Sequence, residues 1–255
     1  SDVCSSDLRL DQLLVNRGLA ESRARAQRLV LAGLVRVDGK AATKAGHATR
    51  EDAQVEVEAA ERYVSRGGWK LDHALSHFGL DVGGATALDL GASTGGFTDC
   101  LLQRGAARVW AVDVGRGQLA WKLRQDARVV VLEQTNARHL TPASFGPGDA
   151  PFDLVVADCS FISLTKVLPP AAPLLRPGGR MVALVKPQFE AGREEADRGE
   201  GVIRDPAVHA RVLRELEEFV HREVSSLKWR GVTESPLLGP AGNKEFLALL
   251  ERSDA

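Results

Sequence analysis

"ALDLGASTGGFTDCLLQRG", residues 87–105, reads as a short apolar strand, a glycine-rich turn and the start of an apolar-periodic helix. A turn that opens a helix presents unpaired backbone N–H groups, which suit an anionic, nucleotide-like ligand. Two familiar nucleotide loops fit it poorly. A Walker A loop ends in Gly-Lys-Ser/Thr, whereas Gly96 is followed by Phe97. A dinucleotide turn has glycine at its first, third and sixth positions. Gly91 and Gly96 fit, but Ser93 takes the middle place, where the backbone must approach a pyrophosphate.

Outward from the turn, apolar periodicity predicts helix 69–78, strand 85–90, helix 96–104, strand 108–113, helix 116–124 and strand 128–132. Strand 153–158, helix 164–175, strand 180–186, helix 206–223, strand 227–233 and strand 245–250 follow. The alternation implies an α/β domain, a parallel sheet with helices on both faces. "SPLLGPAGNK", 235–244, is too short for a crossover helix, so the last two strands are expected to pair antiparallel at one edge. Ligands of such sheets bind at the carboxyl ends of the strands. The second strand ends at Asp113, 22 residues after Gly91, where a carboxylate can accept both ribose hydroxyls of an adenosine. Asn136, after the third strand, is placed either to meet an adenine edge or to shape a loop turn.

The N-terminal part differs in charge. Residues 9–50 hold nine Lys/Arg against Asp11, Glu21 and Asp38, a local +6, although the whole chain carries −1. A basic module joined to a mildly acidic body points to a polyanion-binding arm on an enzyme; a solvated helix face is the plainer reading. Leu10, Leu13 and Leu14 repeat at helical spacing up to Gly18. Ser22 is placed to cap a second helix, 23–32, and "LVRVDGK", 34–40, is a strand running into an Asp-Gly turn. Residues 1–8 show no pattern and are read as a tail outside the fold; 9–60 form the first domain, 61–68 a linker and 69–255 the body. The three cysteines have no ligand-like spacing and fit a reducing cytoplasm. No apolar run is long enough to span a bilayer.

Four ionisable residues stand at strand ends or beside the turn: Lys70 in "SRGGWKL", Asp158 in "ADCSFISL", Lys186 in "VKPQFE" and Glu245 in "GNKEFL". Five of the six residues before Lys186 are apolar. A lysine at the end of a buried strand is costly unless paired or used. A structural ion pair of Asp158 with Lys186 and a solvated Lys70 are the competing readings. His73 and His77 are four apart on a helix without a Glu or Cys partner nearby, so no metal site is expected there. Cys159 is expected to pack rather than to react.

"SRARAQRLVLAGLVRVDGK", 22–40, resembles the S4 RNA-binding domain, an α+β module. That resemblance implies contacts with folded RNA phosphates by Arg23, Arg25, Arg28 and Arg36, with Arg9, Lys44 and Arg66 as further RNA-binding candidates. Asp89-x-Gly91-x-x-x-Gly95 looks like motif I of the S-adenosylmethionine (SAM) methyltransferases, a Rossmann-like class I fold. It implies a cofactor site of Asp89, Gly91, Ala92, Ser93, Gly95, Gly96, Phe97, Asp113, Asn136 and Asp158. The Lys-Asp-Lys-Glu order resembles RrmJ/FtsJ-type ribose 2′-O-methyltransferases. With the S4-like module, "TNAR" and "GVIRDP", residues 9–255 are similar to the TlyA (hemolysin A) family of ribosomal RNA cytidine 2′-O-methyltransferases. The segment "REEADRGEG", 193–201, departs from that family in its acidity.

The family resemblance implies Lys70, Asp158, Lys186 and Glu245 as a catalytic tetrad and ribosomal RNA or its subunits as partner. No clustered His/Cys set offers a metal site, the cysteines fit a cytoplasmic enzyme, and monomer is the default state. A ribose 2′-OH, with a pKa of roughly 12 or more, must lose its proton as it attacks. Lys186 is expected to accept that proton or to stabilise the developing alkoxide, Asp158 and Glu245 to orient the lysines, and Lys70 to hold RNA or assist electrostatically. Two other functions compete: a non-catalytic ribosome-assembly factor, and a hemolysin-like membrane-active protein.

Overall fold

A computed structural model describes residues 7–57, 62–146, 148–192, 195 and 199–253. The chain divides into two compact units, residues 1–62 and 63–255.

The first unit has strand β1 (Asp7–Arg9), helices α1 (Leu10–Asn16) and α2 (Arg23–Leu31), and strands β2 (Val35–Val37), β3 (Lys40–Ala41), β4 (Ala48–Arg50) and β5 (Val55–Val57). The Ser22 hydroxyl caps α2 by accepting from the Arg25 N–H at 3.2 Å. Asp38 and Gly39 both adopt positive φ, 49° and 74°, as a two-residue hairpin between β2 and β3 requires. β2 also pairs with β5. Leu10, Leu14, Ala26, Leu29, Val30 and Val35 close a small core between helices and sheet. The expected tail is corrected: Asp7 and Leu8 belong to β1, which pairs antiparallel with β4. Residues 1–6 of that tail lie outside the described residues.

The second unit opens with α3 (Gly67–His77), then β6 (Thr86–Leu90), α4 (Gly96–Gln103), β7 (Arg108–Val112), α5 (Trp121–Arg124), β8 (Val129–Leu132), β9 (Phe152–Ala157) and α6 (Leu168–Ala171). It ends with β10 (Leu175–Val185), α7 (Pro187–Glu190), α8 (Pro206–Glu223), β11 (Leu227–Glu234) and β12 (Phe246–Arg252). The seven strands stand in the order β11-β12-β10-β9-β6-β7-β8. β12 runs antiparallel to both its neighbours; the β10–β9, β9–β6, β6–β7 and β7–β8 pairs are parallel. This is a Rossmann-like α/β sheet. The chain order reverses between β6 and β9, the place where such sheets bind ligands.

Alternating strand residues feed two cores. Leu88, Leu90, Val155, Met181, Ala183 and Val185 face α8 through Val212, Leu216 and Val220. Ala87, Val109, Ala111, Val156, Val182 and Leu184 face α3 and α4 through Leu71, Leu75, Phe97 and Leu101. Asp205 caps α8 by accepting from Ala207 N–H at 2.8 Å, with Pro206 at its first position.

Three expected elements are corrected. Helix 116–124 is reduced to α5, because Gly117 takes φ 73° and the Asp113 carboxylate binds the Gly115 N–H, holding the chain in a turn. Helix 164–175 breaks into a 3-10 turn at Leu164–Lys166, the short α6 and a 3-10 turn at Ala172–Leu174. Pro169, Pro170 and Pro173 cannot donate the bonds a continuous helix needs. The linker 61–68 is absorbed from Tyr63 onward. Tyr63 is buried, its ring meets Trp69 edge-on at 5.3 Å, and the Val64 N–H donates to Asp99 at 2.8 Å. A Cβ on Gly68 would lie 2.2 Å from the Tyr63 ring, so that position must be glycine for Tyr63 to seat.

Candidate active site

The turn after β6 is shaped by close backbone approach. Gly91 has φ 83°, and a Cβ there would sit 2.6 Å from the Asp158 carbonyl oxygen. Glycine therefore lets the ends of β6 and β9 meet, and the Asp158 N–H donates to the Leu90 carbonyl at 2.9 Å. The other glycines serve packing. A Cβ on Gly95 would strike Leu123 and Leu119, and one on Gly96 would lie 2.2 Å from the Ser65 hydroxyl. Ala92 and Phe97 are buried in the core.

A cavity of about 360 Å³ lies over this turn at the switch point. Gly91, Ser93, Asp113, Asn136, Asp158 and Phe161 are among its walls. Of the expected cofactor residues, the cavity thus gathers Gly91, Ser93, Asp113, Asn136 and Asp158; Ala92, Gly95, Gly96 and Phe97 stand behind it as packing. Asp113 is held by two N–H donors, Ser93 at 2.8 Å and Gly115 at 2.7 Å. Asn136 both borders the cavity and caps a 3-10 turn, accepting from the Arg138 N–H at 3.1 Å. Asp89 lies fully buried below. Its Oδ2 accepts from Thr98 at 2.6 Å, while Oδ1 has no hydrogen-bond partner. Burial pushes the Asp89 carboxyl up to about 7, against the Thr98 hydrogen bond and with help from the nearby Asp158 charge. The Cys159 thiol is pushed up to about 12 by burial, which leaves it protonated and unreactive.

The four expected catalytic residues form two ion pairs at the same sheet edge. Lys186 Nζ lies 2.6 Å from Asp158 and donates to Ser160 Oγ at 2.7 Å. Lys70, near the start of α3, pairs with Glu245, just before β12. Val185 faces Phe246 across β10 and β12, so the next step in register brings Lys186 beside Glu245. Lys70 is only 7% exposed and Glu245 1%, so the competing reading of Lys70 as a solvated helix residue is corrected. A Cβ on Gly239 would lie 2.5 Å from Glu245 Oε1, which ties the loop before β12 closely to that carboxylate. Asn243 clamps the same loop: its Oδ1 accepts from Ile203 N–H and its Nδ2 donates to Gly201, both at 2.8 Å. The motifs "GVIRDP" and "GNKEFL" therefore meet in space. Most of the acidic segment 193–201 lies outside the described residues.

Sequence reading missed Ser160, Gln118, Thr135 and Phe161 at this site. Small polar residues in loops carry no periodic signal, but Phe161 was visible as an aromatic outside any apolar pattern. It is 90% exposed and takes φ 63°.

The basic residues of the first unit separate into two sets. Arg9 and Arg23 both bind the buried Asp11, at 3.0 and 3.2 Å, and hold its carboxyl well below the usual range. They serve the fold of the unit. Arg25, Arg28, Arg36 and Lys44 are exposed. In the second unit, Arg66 donates to the Leu238 carbonyl at 2.7 Å. The His73 ring meets the Thr233 hydroxyl at 3.2 Å.

The FtsJ-like methyltransferase model matches residues 63–252 and the S4 domain model residues 8–55. Over 246 residues the chain is 49% identical to the 16S/23S rRNA (cytidine-2′-O)-methyltransferase TlyA of Mycobacterium tuberculosis, covering 95% of this chain and 89% of that one. The chain belongs to the TlyA family of FtsJ-like methyltransferases. Another TlyA-like relative, Hemolysin A of Brachyspira hyodysenteriae, is 41% identical over 245 residues, 94% of this chain and 98% of that one. A solved structure from Streptococcus thermophilus, whose hemolysin name is provisional, superposes with a TM-score of 0.73 at 44% identity, covering 99% of this chain and 90% of that one. Among the described residues of this TlyA-family chain, no helix is long and apolar enough to cross a membrane.

Proposed function

We propose that the protein is a SAM-dependent methyltransferase that modifies a ribose 2′-hydroxyl of cytidine in 16S or 23S ribosomal RNA, or in both, acting as a cytoplasmic monomer. The observation that carries this reading is the set of two ion pairs, Lys186–Asp158 and Lys70–Glu245, the first of which reaches the cavity through Asp158. The TlyA relative of M. tuberculosis is named for the same reaction.

The site suits SAM on its own chemistry. Gly91 and Ser93 line the cavity over the turn, Asp113 offers a carboxylate for ribose hydroxyls, and the orphaned Asp89 Oδ1 fits a cationic or N–H donor. Asp113, Asn136 and Asp158 would hold the cofactor. When bound, SAM supplies an electrophilic methyl group on a sulfonium.

The chain's own residues then handle the hydroxyl. Lys186 is fixed by a carboxylate on one side and a hydroxyl on the other, which aims its ammonium instead of leaving it to rotate. An aimed ammonium stabilises negative charge as it develops on the 2′-oxygen, whose proton passes out to solvent, and such preorganised charge needs no reorganisation during the step. Lys70 and Glu245 set the field beside it and hold α3 against β12. Phe161, exposed at the cavity wall, offers a face on which a splayed-out base can stack. Arg25, Arg28, Arg36 and Lys44 supply phosphate contacts.

Incubating the protein with labelled SAM and isolated ribosomal subunits tests this. The expected product is RNA carrying a 2′-O-methylated cytidine, mapped by comparing cells with and without the protein. A folded, SAM-binding preparation that transfers no methyl group would favour the assembly-factor reading, and methylation of a base would overturn the assignment of the acceptor.

A further inference from the structure

The loop after β9 and the short helix α7 after β10 are stitched together residue by residue. Lys186 holds Asp158 and Ser160. The Phe189 ring lies 5.2 Å from that of Phe161. Glu190 closes the far end: its Oε2 accepts from the Ser163 hydroxyl at 2.6 Å and its Oε1 from the Leu164 N–H at 2.8 Å. Three residues of "VKPQFE" thus grip "DCSFISL" at its beginning, middle and end.

Two observations give this grip a purpose beyond capping a turn. Phe161 is a bulky residue in the left-handed region, where a Cβ crowds the following carbonyl, so the conformation persists only if its flanks are fixed. Its ring is also exposed, so its own burial does not fix it. One flank is fixed by Lys186 through Ser160, the other by Glu190 through Ser163 and Leu164. Glu190 itself is largely buried, and that burial raises its carboxyl above the usual range. A carboxylate kept in a place that opposes its charge is one whose two hydrogen bonds are needed there.

We propose that Glu190 is a positioning residue for the RNA substrate: it latches the 158–164 loop so that Phe161 is presented, in its left-handed conformation, to the base of the target nucleotide. The latch bears directly on the Phe161–Leu164 half of the loop, and it rests on the reading of the site given above. Substituting Glu190 therefore loosens that half of the loop and raises the KM for RNA by more than it weakens SAM binding.

The test uses the full chain with Glu190→Ala, the shape-conserving Glu190→Gln, Phe161→Ala and the double variant Glu190→Ala/Phe161→Ala. Base stacking on an aromatic predicts about a tenfold rise in KM for ribosomal subunits on Phe161→Ala. Glu190→Ala is expected to approach that rise, and to add less than about twofold in the Phe161→Ala background, because coupled residues are not additive. Glu190→Gln, which keeps the volume, is expected to fall between wild type and Glu190→Ala. Losses that multiply in the double variant, or a fall in SAM affinity equal to the loss in RNA affinity, would overturn the proposal. Amide exchange at Leu164, read without RNA, separates the two levels. Unchanged exchange in both Glu190 variants refutes the latch. Faster exchange with no methyl transfer by any protein, wild type included, refutes the assigned function and not the latch.

Discussion

Lys70 and Glu245, 175 positions apart in the chain, form a buried ion pair that joins the first helix of the second unit to its last strand. Breaking one partner leaves a charge in a site without water. Glu245→Ala should cost about 3–5 kcal/mol in urea unfolding, and replacing both residues by apolar ones of similar volume should cost clearly less. A single-variant cost below about 1 kcal/mol would mean that the pair is solvated in solution.

Lys186 is positioned by Asp158 and Ser160, which border the cavity, while Lys186 itself is not among the cavity walls. Lys186→Ala should lower kcat by about 10²–10⁴-fold with SAM affinity nearly unchanged. Calorimetry and single-turnover transfer check the two halves separately. Collapse of SAM binding together with the fold would make the lysine structural.

Asp89 gives a stability signature in pH. Its carboxyl titrates near 7 in the folded protein against 3.8 unfolded. Below about pH 4 both states hold the proton and no penalty exists. Between pH 4 and 7 the unfolded chain loses its proton first, so stability falls as pH rises, and above pH 7 the loss is complete at roughly 4 kcal/mol. Asp89→Asn should flatten that part of the profile and gain on the wild type at pH 8 relative to pH 4. Parallel profiles for the two proteins would contradict it.

Arg25 and Arg28 are exposed on α2 and, unlike Arg23, are not bound to Asp11. Replacing each by alanine should weaken RNA binding at low salt and reduce the slope of log K against log salt by about 1 per residue. SAM affinity should not move. Arg23→Ala, by contrast, should also lower the stability of the first unit, because its guanidinium serves Asp11.

The sheet was legible because its strands are buried on both faces and read as continuous apolar runs; "MVALV" before Lys186 is the clearest. The charged residues at the ends of those runs were legible for the same reason, since a lysine there contradicts the apolar pattern around it. An Asp158–Lys186 ion pair was among the readings the sequence allowed, and the structure contains it. Nothing in the spacing says that Lys70 meets Glu245, because that pair is set by how α3 and β12 come together in the fold. Helices 116–124 and 164–175 were overread where apolar periodicity outweighed glycines and prolines that interrupt the backbone ladder. The packing that requires glycine at 95 and 96 was not legible, because a glycine that avoids a side chain looks the same in sequence as one that makes room for a ligand.

β12 enters the sheet from the edge where the parallel strands leave it, and Glu245 stands at its entrance. The last strand of the unit joins β11 to β10, and the residue at its entrance is the carboxylate that neutralises Lys70. The step that closes the sheet at this edge thus also closes the charge balance around Lys70.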